Sequence, residues 1–486
     1  MNSSETSVSE GLTTQEAATG LQRSIHYRQL ITMGVGTIVG VAWLMVLGSV
    51  ISDAGPIGAV IAFVVGACAM IPIGLCYGEI AGLLPFAGGE VIYTFDAFGA
   101  RMAYIAGLCL TFSYLINCIF FAVSVGWLAE KLLPGIRGAP LYSVLNNTVH
   151  AGDLLIGLVT ALAIGLTNFR GAHLAAKLQD FATYALMLGA LIFVVVGIIG
   201  GSMQNLHPAI VSGGWAWGAG GILSVIAVTP YFFGGFNTIP QALSELKSKP
   251  GKTHIAGAMS LSILISLLFL CAVLVSLSMT MPRERLLSFD LPVAQAFAVA
   301  FQSRVLADIV LLAGLVGLIA VWNALFFALT RALFALGRAR LFSPRLDTVH
   351  VASAAPATAV MVATLLTMTG TFLGKGVLLP VVDVTSTLFA FLYVLVTLAT
   401  QKSRKTKPDA ARPYRVPGRL LILFAIAYSM YLVCLSLYQQ FISSSSLIPV
   451  AWDILAVFCL SGIALWHFLK PVRSSISDAE RRRAIM

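Results

Sequence analysis

Chemistry at a protein site needs side chains that trade protons, attack electrophiles or hold metals, and this chain is short of all three. Its seven histidines (His26, His150, His173, His207, His254, His350, His467) are scattered, with none at a metal-ligand spacing or beside a nucleophile. The seven cysteines (Cys68, Cys76, Cys109, Cys118, Cys271, Cys434, Cys459) lie inside apolar runs without a C-x-x-C pair, so they read as small buried hydrophobes. No Gly-Lys-Ser/Thr loop is present to hold a nucleotide phosphate. No catalytic residue, metal or other cofactor is therefore expected. What remains is a handful of acids in or beside apolar runs, where a charge is costly and usually functional. Asp383 is the strongest candidate for binding a coupling ion, its alternative being a helix cap. Glu79, Glu90, Asp96 and Glu245 stand at the ends of apolar runs. Pairing of these four acids with Arg101, Arg331 or Arg338 would close a gate, with Glu79 and Glu245 the gating candidates, and plain solvation is the alternative.

The backbone offers more than the side chains do. Two segments interrupt helical patterns in matching ways: Gly-Val-Gly-Thr-Ile-Val-Gly-Val-Ala-Trp at 34–43, and Tyr-Phe-Phe-Gly-Gly-Phe-Asn at 231–237 between Pro230 and Pro240. Glycine costs roughly 1 kcal/mol and proline about 3 in a helix interior, so both segments invite unwinding. Small residues at a helix crossing are the alternative, and Gly36 and Gly40 fit G-x-x-x-G spacing. Their placement favours unwinding, because one opens the first five-span block and the other opens the second, which is the pattern of an inverted-repeat transporter. Half-helix N-termini then offer N–H groups to a carboxylate, and freed carbonyls offer acceptors to an ammonium. Such a site recognises a zwitterion without a charged side chain.

The elements that must carry these breaks follow from composition. Of 486 residues, 58% are hydrophobic and only 10% charged, against roughly 25% charged in soluble domains. Apolar runs centre on Val41, Val65, Phe112, Val159, Phe193, Ala227, Ile265, Leu315, Leu365, Leu392, Ile426 and Val457. The chain is thus expected to be an all-α polytopic membrane protein with twelve transmembrane helices, the fourth of them short enough to need polar flanks. With both termini cytoplasmic, 24 of the 30 Lys and Arg residues fall inside and six outside. That asymmetry explains the net charge of +10 without a nucleic-acid partner. The expected layout is a disordered cytoplasmic tail at 1–24, a transport core of ten spans at 25–400, a basic cytoplasmic loop at 401–419, two further spans at 420–470 and a cytoplasmic tail at 471–486.

The motifs resemble those of amino acid permeases of the amino acid–polyamine–organocation (APC) superfamily along most of the chain. Besides 34–43, they include Tyr77-Gly78-Glu79-Ile80-Ala81 with Pro85-Phe86-Ala87-Gly88-Gly89-Glu90 and Tyr93; Asn168-Phe169-Arg170-Gly171; Phe233-Gly234-Gly235-Phe236 with Glu245 and Lys247-Ser248-Lys249-Pro250; Arg331 to Arg338 with Leu341-Phe342-Ser343-Pro344; and Arg412-Pro413-Tyr414-Arg415-Val416-Pro417-Gly418. The resemblance implies a five-plus-five inverted-repeat core with broken helices 1 and 6, two extra helices, and alternating-access transport of an amino acid or related amine.

By position, the resemblance implies that the N–H groups of Gly40, Val41 and Ala42, beside Thr37, receive a carboxylate. The carbonyls of Ile38, Tyr231 and Gly234 would take the ammonium. Val41 and Ala42 replace the small Gly/Ser pair common in the family and narrow the pocket. Ser113 and Asn117 share a face of the third span, where Asn117 would meet substrate or bond a neighbouring helix. Trp43 is a candidate aromatic gate, its alternative being a tryptophan at the membrane interface; Phe233 and, further along, Phe236 are candidate gates or core packing, and Asn237 completes the set. Leu186 and Asn237 stand where relatives often carry ionisable groups. The expected function is a secondary transporter of the cell membrane for a small, neutral amino acid, driven by a proton gradient or by exchange. An amine carrier, an integral membrane enzyme and a non-transporting nutrient sensor are the alternatives.

Overall fold

The computed structural model describes residues 20–144, 147–211, 219–247, 254–286, 288–289, 291–443 and 448–486. Most of the expected N-terminal tail (1–19) and Ser248-Lys249-Pro250 of the basic motif lie outside these residues. Apart from an antiparallel hairpin of Pro140–Val144 with Asn147–His150, the elements are helices. We label the principal ones α1 (Tyr27–Val39), α2 (Ala42–Ala54), α3 (Pro56–Leu83), α4 (Glu90–Phe98), α5 (Ala100–Leu132), α6 (Ala151–Phe169), α7 (Ala172–Gly200), α8 (Ala219–Phe233), α9 (His254–Thr280), α10 (Arg304–Arg338), α11 (Ala357–Thr371), α12 (Gly374–Thr406), α13 (Arg419–Ser443), α14 (Val450–Phe468) and α15 (Asp478–Ile485).

Ten described helical stretches are long and apolar enough to cross a membrane, and α1 with α2 forms an eleventh crossing, bent by 51°. The short fourth run becomes a 19-residue helix, α6, that takes in Asp153 and Asn168 as polar flanks. The ninth run forms α11, of 15 residues. At 1.5 Å per residue it is about 22 Å long, short of the roughly 30 Å hydrocarbon layer.

Both broken helices pack against other crossing helices. α1 packs against α7, α9 and α10, and α8 packs against α3. Close approach depends on glycine. A Cβ on Gly66 of α3 would lie 2.0 Å from Thr229 Oγ1 on α8, and one on Gly36 of α1 would lie 2.4 Å from Gln179 Nε2 on α7. Lipid tails are as apolar as leucine, so such small-residue packing and interhelical hydrogen bonds hold membrane helices together. A buried polar chain does this for α1: Thr183 Oγ1–H donates to Thr32 O (3.1 Å), Thr32 Oγ1–H donates to Asp180 (2.6 Å), and Asn323 Nδ2 donates to Gln179 Oε1 (3.0 Å).

At the end of the bundle that carries both described termini, the chain before α1 is tied to the end of the second broken helix. Ser24 and Ile25 N–H donate to Glu245 O (2.9 and 2.8 Å), and Lys247 N–H donates to Ile25 O (2.9 Å). Residues 20–24 are therefore ordered against the core, with Leu21 buried beside Ala87 and Phe334. The C-terminal segment likewise docks, Arg481 Nε donating to Ala339 O (2.7 Å).

Candidate functional site

The first break falls at Gly40-Val41. Gly40 adopts φ +49°, a region L side chains rarely enter, and its N–H closes the last turn of α1 on Gly36 O (3.2 Å). Its donor is thus engaged, whereas the N–H groups of Val41 and Ala42 find no hydrogen-bond acceptor among the described residues. They sit at the N-terminus of α2, where the first N–H groups of a helix lack partners and the dipole favours an anion. On the other side of the break, the Ile38 carbonyl meets no donor among the described residues.

The second break falls at Gly234-Gly235. α8 ends as Gly234 N–H donates to Pro230 O (3.0 Å), Gly235 turns at φ +108°, and the chain resumes as a ten-residue 3₁₀ helix, Phe236–Glu245. Pro230 lies within α8 and Pro240 within the 3₁₀ segment, each withholding a ladder donor, and the left-handed turn at Gly235 is where the α-helix stops. The carbonyls of Tyr231 and Gly234 have no donor among the described residues. An ideal Cβ on Gly234 would lie 3.3 Å from the Tyr393 hydroxyl of α12.

The breaks face one another. A Cβ on Gly235 would lie 2.7 Å from Thr37 Cγ2, and Thr37 Oγ1 stands 3.4 Å from Thr238 Oγ1. The last turn before the first break thus touches the start of the segment after the second, and none of the residues whose backbone groups are left free at the two breaks is charged. Behind the first break, a Cβ on Gly317 of α10 would lie 2.6 Å from Gly40 O and 3.1 Å from Leu186 Cδ1. Leu186 thus packs beside this carbonyl as an apolar wall.

Other expected residues divide. Tyr114 Oη–H donates to Asn237 O (3.3 Å), joining α5 to the 3₁₀ segment. Ser113 is buried, while Asn117 spends its amide on Ser113 O (2.8 Å) and on Thr385 Oγ1 of α12 (3.2 Å). Phe236 stacks on Tyr393 (5.6 Å, 15°), and Phe233 packs edge-on against Phe63 (5.9 Å). Trp43 is buried between Phe193 and Phe269 (6.4 and 5.8 Å), set into the bundle rather than over the break. The Tyr231 side chain is exposed, leaving only its carbonyl near the break. Asp383 is exposed in α12, and the contact it makes with Gln440 is through its own backbone carbonyl (2.9 Å).

The terminus-bearing end is closed by ion pairs. Glu245 and Arg331 form a bidentate pair (2.7 and 3.1 Å) with both side chains at most 1% exposed, and the guanidinium lies 3.5 Å from the Phe327 ring centroid. Glu79 takes Arg404 and Arg412 (2.5 and 3.2 Å), and Asp96 takes Lys407 and Arg482 (2.6 and 3.1 Å). The partners of Glu79 thus come from the basic segment near 401–419 rather than from Arg101, Arg331 or Arg338. Glu90 differs from all of these. It opens α4, a short helix between the crossing helices, is fully buried, and accepts from two neutral donors, Tyr77 Oη (3.2 Å) and Gln241 Nε2 (2.7 Å). Burial without a cation pushes its carboxyl up to about 7, the hydrogen bonds offsetting only part of the effect.

Comparison with known proteins gives this geometry a family. The amino acid permease family model matches residues 25–460. The chain belongs to the amino acid permease family. It is 27% identical to the branched-chain amino acid permease BcaP of Bacillus subtilis (strain 168), over 85% of this chain and 88% of that one. It is 25% identical to the methylthioribose transporter of the same organism, over 84% and 87%. It is also 25% identical to cationic amino acid transporter 4 of Mus musculus, over 82% and 63%. The permease is accordingly a multi-pass helical membrane protein that transports amino acids and is not an enzyme.

Sequence reasoning passed over three features of this permease. Tyr393 lies deep in an apolar run and carried no pattern of its own. Gln241 sits between Pro240 and Ala242, in a stretch read only as a helix exit. The Gln179–Thr183–Asn323 chain was detectable, because polar residues at i and i+4 in apolar helices signal interhelical bonding.

Proposed function

We propose that this permease carries a small, neutral amino acid as its zwitterion, by alternating access around the paired breaks. The terminus-bearing end is the cytoplasmic one, and transport is driven by a proton gradient or by exchange. The observation that carries this reading is that uncommitted N–H groups at Val41 and Ala42 and uncommitted carbonyls at Ile38, Tyr231 and Gly234 flank two breaks that touch through Thr37, Gly235 and Thr238. This supplies donors for a carboxylate and acceptors for an ammonium, without a charge to favour an ionised side chain. The ion pairs sealing the cytoplasmic end support a conformation closed on that side. Among its relatives, the branched-chain permeases make leucine, isoleucine and valine the first substrates to try.

Binding separates the readings. Competition against radiolabelled L-leucine on the purified permease should rank neutral amino acids well above 3-methylbutylamine, which keeps the side chain and ammonium but lacks the carboxylate. Equal competition by the amine would overturn the zwitterion reading in favour of an amine carrier.

A further inference from the structure

Of the three fully buried acids among the described residues, Glu79, Glu90 and Glu245, only Glu90 lacks a cation. Glu79, Asp96 and Glu245 are each paired with Arg or Lys, whose opposite charge offsets the cost of burying a carboxylate. Glu90 has none among the described residues. The groups facing it are neutral: Tyr77 from α3, Tyr93 on its own helix, Tyr114 from α5, Asn237 and Gln241 from the 3₁₀ segment, and Tyr393 from α12. Cations at this end have other partners, Arg331 on Glu245, Arg338 on Ala484 O, Lys407 on Asp96 and Arg404 on Glu79. An ionised carboxylate sealed here would be an uncompensated buried charge, which proteins avoid by taking up a proton. The site also has room for the proton's hydrogen bond. Gln241 Oε1 is buried without a donor, and turning the amide over would present that oxygen to Glu90 Oε2 at the observed 2.7 Å. Glu90 moreover joins α3 to the 3₁₀ half of the second broken helix, the half whose other end, at Gly235, borders the substrate site.

We propose that Glu90 is the proton-binding residue of this permease. The carboxylate takes a proton from a hydronium ion, an O–H bond forming on Glu90 as one on the hydronium breaks, and holds it in the closed form. When the 3₁₀ segment moves away and water enters, that bond breaks and the proton passes to water, so one proton accompanies each cycle with no covalent change elsewhere. This deepens the proposed function and rests on its proton-driven form.

The test reconstitutes wild type and Glu90→Gln, a fixed mimic of the protonated form, into proteoliposomes with radiolabelled L-leucine as probe. Wild type should accumulate leucine under an inward proton gradient, and its counterflow should vary with pH across the neutral range. Glu90→Gln should show counterflow independent of pH and at least a tenfold loss of gradient-driven accumulation. Accumulation by Glu90→Gln with wild-type pH dependence overturns the proposal. So does loss of L-lysine transport alone with pH dependence intact, which would make Glu90 a contact for a substrate cation. Absence of counterflow in wild type would instead refute the transport reading itself. Infrared difference spectra give an answer that does not depend on transport: raising pH should remove a protonated-carboxyl C=O band from wild type that Glu90→Gln lacks. The same band in both proteins overturns the assignment.

Discussion

The Glu245–Arg331 pair should be a latch on the closed end, and its strength can be worked from its geometry. Both side chains are essentially inaccessible, the two contacts are 2.7 and 3.1 Å in a fork arrangement, and Arg331 also donates to Thr330 Oγ1 (2.9 Å). Bidentate charge-assisted bonds are among the strongest side-chain contacts. Deleting one partner of a buried pair leaves an uncompensated charge and costs roughly 3–5 kcal/mol, whereas replacing both by apolar groups is often neutral. Glu245→Gln should therefore shift the closed-to-open equilibrium by roughly two to three and a half decades. Glu245→Gln with Arg331→Met should recover most of that. The backbone bonds from Ser24 and Ile25 to Glu245 O remain in every variant, so the measurement isolates the side chains. A single cysteine at Leu243, which is only 5% exposed, reports opening through its rate of thiol labelling in detergent, on a background lacking the seven native cysteines. The single variant should label at least a hundredfold faster than the parent, and the double variant within about tenfold of it. Labelling of Glu245→Gln at the parental rate would refute the reasoning.

Gly40→Val should lower leucine affinity at least tenfold while expression persists; no atom lies within 3.8 Å of an added Cβ, so the cost is the backbone strain of φ +49°, about 1–3 kcal/mol. Equilibrium binding to the purified variant checks this, and near-normal affinity restores the helix-packing alternative. Single cysteines placed at 402–419 should resist an impermeant thiol reagent in intact cells if the proposed orientation, drawn from the cation asymmetry, holds; labelling from outside would overturn it. Glu90 also predicts a pH effect on stability. Its folded value of about 7 lies above the ordinary 4.5, so the folded state holds the extra proton between those values and stability falls as pH rises through that window, by about 3 kcal/mol in all. Thermal unfolding of Glu90→Gln should lack this component, and an unchanged pH slope would contradict it.

Much of the architecture was legible because membrane helices advertise themselves. Runs of apolar residues set the helices, and Gly and Pro clusters marked both breaks to within a residue or two, since those residues change the backbone directly. What was illegible depends on partners distant in sequence. Glu79, Glu90, Asp96 and Glu245 look alike as acids at helix ends, yet three meet cations from remote segments and one meets only tyrosines and amides. No local pattern encodes that difference. Asp383 stood out because an acid in an apolar run is conspicuous, but the period of α12 turns it to the exposed side. Trp43 follows the break directly in sequence, and the turn at Gly40 sends its ring into the Phe193–Phe269 cluster.

The central claim is that the paired breaks move a zwitterion across a membrane, and counterflow by the purified chain tests it most directly. Proteoliposomes loaded with unlabelled L-leucine and diluted into trace radiolabelled L-leucine should accumulate label transiently above equilibrium, and Gly40→Val should abolish that overshoot. Binding of leucine without any overshoot in the parent protein would contradict the account and leave a sensor in its place.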